Sequence, residues 1–218
     1  MQSQELIVMV ESHPDFKPGR NGTVISLGCY SECWDESSRE ITTELIEYFL
    51  KKGNPVQFAT KRYVSDSDLE KVAHYIQWKG QLCIFISSAT ISKWNKLERG
   101  TDAPELRFRS FYSASALGIP AYLYIKPVIN SITINDFDDY VRVINEYPVS
   151  GVIVGKKFVE ANHKNDNFFA PIGNGKLMYA NEKNDEHELF KCFSKHIETH
   201  KESLNAVELW RTYAQQKN

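Results

Sequence analysis

The sequence predicts an α/β chain, with parallel strands each followed by a helix. Two observations carry this. Short apolar, β-branched runs alternate along the chain with segments of helical periodicity. The runs are also apolar throughout rather than alternating, as strands are when other elements cover them. Successive strands joined by right-handed crossovers give a doubly wound sheet or a closed or partial barrel, and periodicity alone does not separate the two.

The strand runs fall at residues 6–10, 23–27, 55–59, 82–87, 121–125 and 151–155. Four helices lie between them. Residues 39–52 place Ile41, Leu45, Ile46, Phe49 and Leu50 at helical spacing and stop at Gly53. Residues 67–78 carry Leu69, Val72, Ala73, Tyr75 and Ile76, with Asp66 or Ser67 as cap and Gly80 beyond the end. Residues 104–117 carry Leu106, Phe108, Phe111, Ala114 and Leu117 and stop at Gly118. Residues 136–146 carry Phe137, Tyr140, Val141 and Ile144. Past residue 156 the rhythm breaks. Residues 156–174 read as polar loop, 176–180 as one more short strand, and 184–216 as helix broken near 199–203.

A length of 218 residues suits one domain, or one with a small appendage. A net charge of −2 gives no basic stripe for nucleic acid and no acidic tail for a basic partner. The longest apolar runs, such as 82–86 and 121–125, are far short of the ~20 residues a membrane span needs. Met1-Gln2-Ser3-Gln4-Glu5 lacks the pattern of a signal peptide, so a cytoplasmic location is the default expectation. The four cysteines, Cys29, Cys33, Cys83 and Cys192, suit a reducing compartment. Cys83 sits inside an apolar run and reads as a core residue.

In βα proteins ligands bind at the carboxyl ends of the strands. The residues there are Gly28-Cys29-Tyr30-Ser31-Glu32, Thr60-Lys61-Arg62, Ser87-Ser88-Ala89-Thr90, Lys126-Pro127 and Gly155-Lys156-Lys157. Taken singly, each is what a strand end carries anyway. As a set, hydroxyls, lysines, an arginine and a carboxylate converge on one rim suited to a small ligand with a carboxylate and a ribose.

Residues 90–120 include Leu97-Glu98-Arg99-Gly100, then Pro104-Glu105-Leu106-Arg107, then an amphipathic helix ending Gly118-Ile119-Pro120. This resembles, without a gap, a stretch of the spore-photoproduct-lyase-like radical SAM proteins. Residues 28–35 resemble that family's segment after its second barrel strand, Phe58-Ala59-Thr60-Lys61 its Thr-Lys-Ser turn, and Ile125-Lys126-Pro127-Val128-Ile129 its Pro-(Val/Ile)-Ile segment. The likeness covers roughly residues 22–155. It implies a partial (βα) barrel of about five parallel strand–helix units over 22–158. An N-terminal strand and lead-in would occupy 1–21, and a loop and C-terminal helical extension 159–218. It implies S-adenosylmethionine as cofactor. Ser31 and Glu32 would lie near its ribose, and Lys61 and Ser87 on its methionine carboxylate. Arg107 would either pair with Glu98 across the turn or face the ligand, the pairing being favoured. Residues Val152–Val154 would flank adenine or simply pack in the core.

One departure stands out. The family's Cys-x3-Cys-x2-Cys segment, which holds a [4Fe–4S] cluster, is absent, and no cysteine precedes Thr23. Cys29 and Cys33 have the first spacing, but Glu36 takes the third place and the pair follows the second strand, so the match reads as accidental. This chain alone is expected not to bind the cluster, and no catalytic residue is assigned. The cluster strand would lie on a second polypeptide that completes the barrel edge, or in a missing N-terminal segment; otherwise the chain is a non-catalytic relative. Such a barrel has an open edge, which is hazardous unless covered, so residues 6–10 or a partner are expected to fill it. No metal site is expected: His196 and His200, at i and i+4, read as exposed helix histidines rather than zinc ligands. Phe168-Phe169 either touches a ligand or partner or folds back onto the core.

Overall fold

Residues 6–10 are not a strand. In the computed structural model, which describes residues 2–29, 31–160, 177–179 and 184–216, they belong to α1 (Ser3–Glu11). The apolar run reads as strand by composition. Glu5 overrides this at the helix start by accepting the Gln2 backbone N–H at 2.9 Å, a capping device. Only Ile7 is buried, against α2, while Val8 and Met9 face solvent. Residues 6–10 therefore do not fill the barrel edge.

From there the expected rhythm holds. The chain runs β1 (Ile25–Leu27), α2 (Arg39–Lys51), β2 (Val56–Thr60), α3 (Asp66–Ala73), β3 (Leu82–Ser87) and α4 (Trp94–Leu97). Then come α5 (Pro104–Phe108), α6 (Ser110–Ala116), β4 (Ala121–Ile125), β5 (Val128–Ile129), a 3-10 turn (Thr133–Asp136) and α7 (Phe137–Glu146). The remainder is β6 (Val152–Val154), β7 (Lys157–Glu160), β8 (Leu177–Tyr179), α8 (Asn184–Phe193), β9 (Thr199–His200) and α9 (Ser203–Gln216). Gly53, at φ +86°, ends α2 in the left-handed conformation that suits glycine. The start of α3 is capped by Ser65, whose Oγ accepts the Asp68 N–H at 3.1 Å, rather than by Asp66 or Ser67. The helix expected over 104–117 is two short ones that meet at Arg109.

The main sheet has the order β1-β2-β3-β4-β6-β9, all parallel. With its helices it forms a partial (βα) barrel. β1 is one edge; among the described residues no strand lies beyond it. A second sheet, β5-β7-β8, grows from the segment after β4, with β8 antiparallel to β7. β7 occupies residues expected to be loop. The Asn162–Asn167 tract, with His163, and Phe168-Phe169 lie outside the described residues. His196 and His200 do not share a helix: His196 follows α8 and His200 is on β9.

Strand alternation sorts the core into two layers. Ile25, Val56, Phe58, Ile84, Ile86, Leu123, Val152 and Val154 face the helix layer, where Leu45, Phe49, Leu69, Val72, Phe111, Tyr140, Leu189 and Phe193 meet them. On the other face Cys83, Phe85, Tyr122 and Ile153 pack under Ala206, Val207 and Trp210 of α9. The strands are apolar throughout because both faces are covered. Val152 and Val154 are thus core residues.

Candidate functional site

α9 covers the inner face of the sheet unevenly. Its Trp210 lies at Gly80, just before β3, and donates its indole N–H to Tyr122 Oη at 2.6 Å. Further along, Arg211 donates to Gly22 O at 3.2 Å, just before β1. The helix therefore fills the end of the inner face where the strands begin. Among the described residues the other end is left uncovered. In β2 and β4 the one position that is not fully buried is Ala59 and Tyr124 respectively, both on the inner face near the strand ends. Ser26 of β1 is exposed, and Lys126 is half-buried with its ammonium 5.7 Å from the Tyr124 ring. The open mouth thus coincides with the rim where the sequence places its polar residues.

The rim is built around Glu98, which is 2% exposed in its side chain. Its Oε1 takes the Lys61 ammonium at 2.7 Å and the Ala89 N–H at 3.1 Å; its Oε2 takes Arg107 Nη2 at 2.9 Å. Arg107 is fully buried and donates Nη1 to Ser87 O at 2.7 Å. Burial pushes the Glu98 carboxyl up, but the Lys61 and Arg107 cations outweigh it and hold the group below the ordinary carboxylate value. The Arg107–Glu98 pair is the one favoured from sequence. The arrival of Lys61 on the same carboxylate is not legible there, because the two sit in different βα units.

Of the remaining rim residues, Glu32 accepts three hydrogen bonds. Its Oε1 accepts from Thr60 Oγ1 at 2.6 Å and Trp34 N at 2.9 Å, and its Oε2 from Lys61 N at 2.8 Å. It clamps the loop after β1 to the end of β2 and fixes the backbone of Lys61. Ser31 is exposed on that loop. Ser87 is 5% exposed and donates its hydroxyl proton to Lys126 O at 3.1 Å, which leaves its lone pairs for another group. Lys61, Glu98 and Arg107 therefore form one cluster, anchored on the Ser87 carbonyl, with Glu32 holding its edge; the Ser87 hydroxyl turns to Lys126, and Ser31 is exposed on the loop after β1. The segment after β3 is pinned as well: Asp136 accepts from Thr90 Oγ1 at 2.5 Å and Ile91 N at 2.7 Å, and Tyr140 donates to Ser88 O at 2.9 Å. On the inner face near the β1 edge, Gln57 donates to Ser26 Oγ at 2.5 Å, while its buried Oε1 has no partner among the described residues.

No family model matches the chain, and no curated protein does. Solved structures share its fold. A spore photoproduct lyase complexed with dinucleoside spore photoproduct is 14% identical, with a TM-score of 0.58 over 90% of this chain and 64% of that one. A spore photoproduct lyase with bound AdoMet and the same photoproduct is 11% identical, at a TM-score of 0.58. SuiB from Streptococcus suis, bound to S-adenosylmethionine, is 13% identical, with a TM-score of 0.61 over 93% of this chain and 44% of that one. The chain thus spans less than two thirds of these proteins, and at these identities the likeness is one of fold.

Among the described residues no three His, Cys, Asp or Glu side chains are grouped to hold a metal ion. Cys29 is exposed; Cys33 is buried with Sγ 3.6 Å from Ala59 O, and burial pushes its thiol well above the ordinary value. These residues do not fit an iron–sulfur cluster. Among the described residues no helix is long and apolar enough to cross a membrane.

Proposed function

We propose that the chain is a radical SAM-like protein, or a subunit of one, whose rim at the strand ends binds S-adenosylmethionine. The observation that carries this is the Lys61 ammonium. It is 23% exposed, lies at the mouth, and belongs to a cluster of two cations and one carboxylate. Of its members, Lys61 is the one that reaches solvent. An ammonium so held suits a ligand carboxylate. The fold is shared with structures whose ligands include S-adenosylmethionine.

In this reading Lys61 takes the methionine carboxylate, Ser87 contributes lone pairs beside it, and Ser31 meets the ribose. Glu32 and Arg107 are positioning residues: Glu32 fixes the backbone of Lys61, and Arg107 fixes Glu98, which orients the ammonium. The cluster that would reduce the cofactor comes from elsewhere, a second polypeptide or a further segment seated against the β1 edge. Exposed Ser26 and the unpartnered Gln57 acceptor lie at that edge, where such a segment would complete them. The alternative is a binding module on the same scaffold without radical chemistry.

Titration calorimetry with S-adenosylmethionine tests the proposal. The chain is expected to bind, and Lys61→Ala to weaken binding by about tenfold or more, the loss of one charge-assisted contact. Unchanged affinity in Lys61→Ala removes the ammonium from the site. Anaerobic assay with a cluster-bearing partner separates the two readings: 5′-deoxyadenosine formation supports the enzyme, and its absence the binding module.

A further inference from the structure

At the opposite end of the sheet from the rim, a cleft of about 620 Å³ opens between residues 19–20, 52–53, 77–79 and Ala214. Its walls are cationic. The Arg20 guanidinium lies over the Trp78 ring, 5.1 Å from its centre, and the Lys79 ammonium lies 5.0 Å from the Trp210 ring. Lys52 is already neutralised by Glu11. Among the described residues, Arg20 and Lys79 pair with no carboxylate.

The hydrogen-bond inventory points the same way. Arg20 Nε, Arg20 Nη2 and Trp78 Nε1 are all buried and have no partner among the described residues. All three are donors. Buried donors without acceptors are rare in folded proteins, and each calls for a group that completes it. The wall is built rather than loose: Arg211 bonds Gly22 O, and Gln215 bonds Asn21 Oδ1 at 2.9 Å, so α9 fastens the loop that carries Arg20.

We propose that this cleft binds a small oxyanion of the phosphate class, held by Arg20, Trp78 and Lys79. An acceptor-rich, acceptor-only ligand matches these three donors. Two uncompensated cations match the double charge of a phosphoryl group better than the single charge of a carboxylate, and the guanidinium fork suits phosphate oxygens.

Inorganic pyrophosphate, titrated into the protein in a chloride buffer, is the probe. Calorimetry should show saturable binding at millimolar concentration or below. Among the indole N–H signals of the four tryptophans, the one lost in Trp78→Phe should move. Lys79→Met, at an exposed position, and Arg20→Gln should each weaken pyrophosphate binding about tenfold or more. Binding of S-adenosylmethionine should be unchanged in Lys79→Met, so this proposal and the rim reading stand or fall separately. The proposal is overturned if wild type shows no saturation, if the Trp78 indole signal stays fixed, or if Lys79→Met binds pyrophosphate like wild type.

Discussion

Replacing Glu98 with Gln strands a guanidinium that has no route to water. Arg107 is fully buried, and its remaining anchor is the Ser87 carbonyl. Breaking a buried ion pair from one side costs about 3–5 kcal/mol, so urea unfolding at neutral pH should show Glu98→Gln destabilised by that order. The pH dependence has a definite sign. The Glu98 carboxyl is held below its ordinary value of 4.5 in the folded state, so its contribution is complete above about pH 4.5. It is lost as pH falls through the folded-state value. The gap between wild type and Glu98→Gln should therefore narrow in acid; a constant gap contradicts the ion-pair account. At this scale the sequence reveals residue types but not partners. Glu98 and Arg107 lie on neighbouring turns, so their pairing is legible, whereas Lys61 and the Glu32 clamp meet only through strand order.

At the scale of elements, periodicity finds what local physics controls. α2 shows its apolar stripe and its glycine stop in the sequence, and β2, β3 and β4 show their apolar runs. Where tertiary packing decides, periodicity fails. The run at 6–10 has strand composition but packs as α1 on α2, and the two-residue β9 exists only because β6 offers it an edge. The role of α9 was hidden for the same reason. Ala206, Val207 and Trp210 lie at helical spacing, but nothing local says that they cap the inner face of the sheet. Gly80 tests that role. It has φ +83°, and a Cβ there would meet the Trp210 side chain at 2.3 Å. Gly80→Ala combines overpacking with a left-handed backbone and should cost about 2–4 kcal/mol in urea unfolding. It should also expose Trp210, read as a red shift of fluorescence. A variant as stable as wild type would mean that α9 is not seated there.

For the whole molecule, the division of the inner face is the organising fact. One end is filled by α9; the other opens beside Ser26, Ala59, Tyr124 and Lys126, under the Lys61–Glu98–Arg107 cluster. The polar strand ends were visible in sequence, but the uneven cover of the inner face was not, because it depends on a helix from the end of the chain. The clefts of about 490 and 620 Å³ lie at the far end, around residues 77–80. The two ends thus predict different responses to ligand. Amide chemical-shift mapping with S-adenosylmethionine compares them directly. Shifts are expected at Ser26, Ser31, Ala59, Lys61, Ser87 and Tyr124, with residues 77–80 unmoved. Shifts confined to residues 77–80, or none at saturating ligand, would contradict binding at the rim.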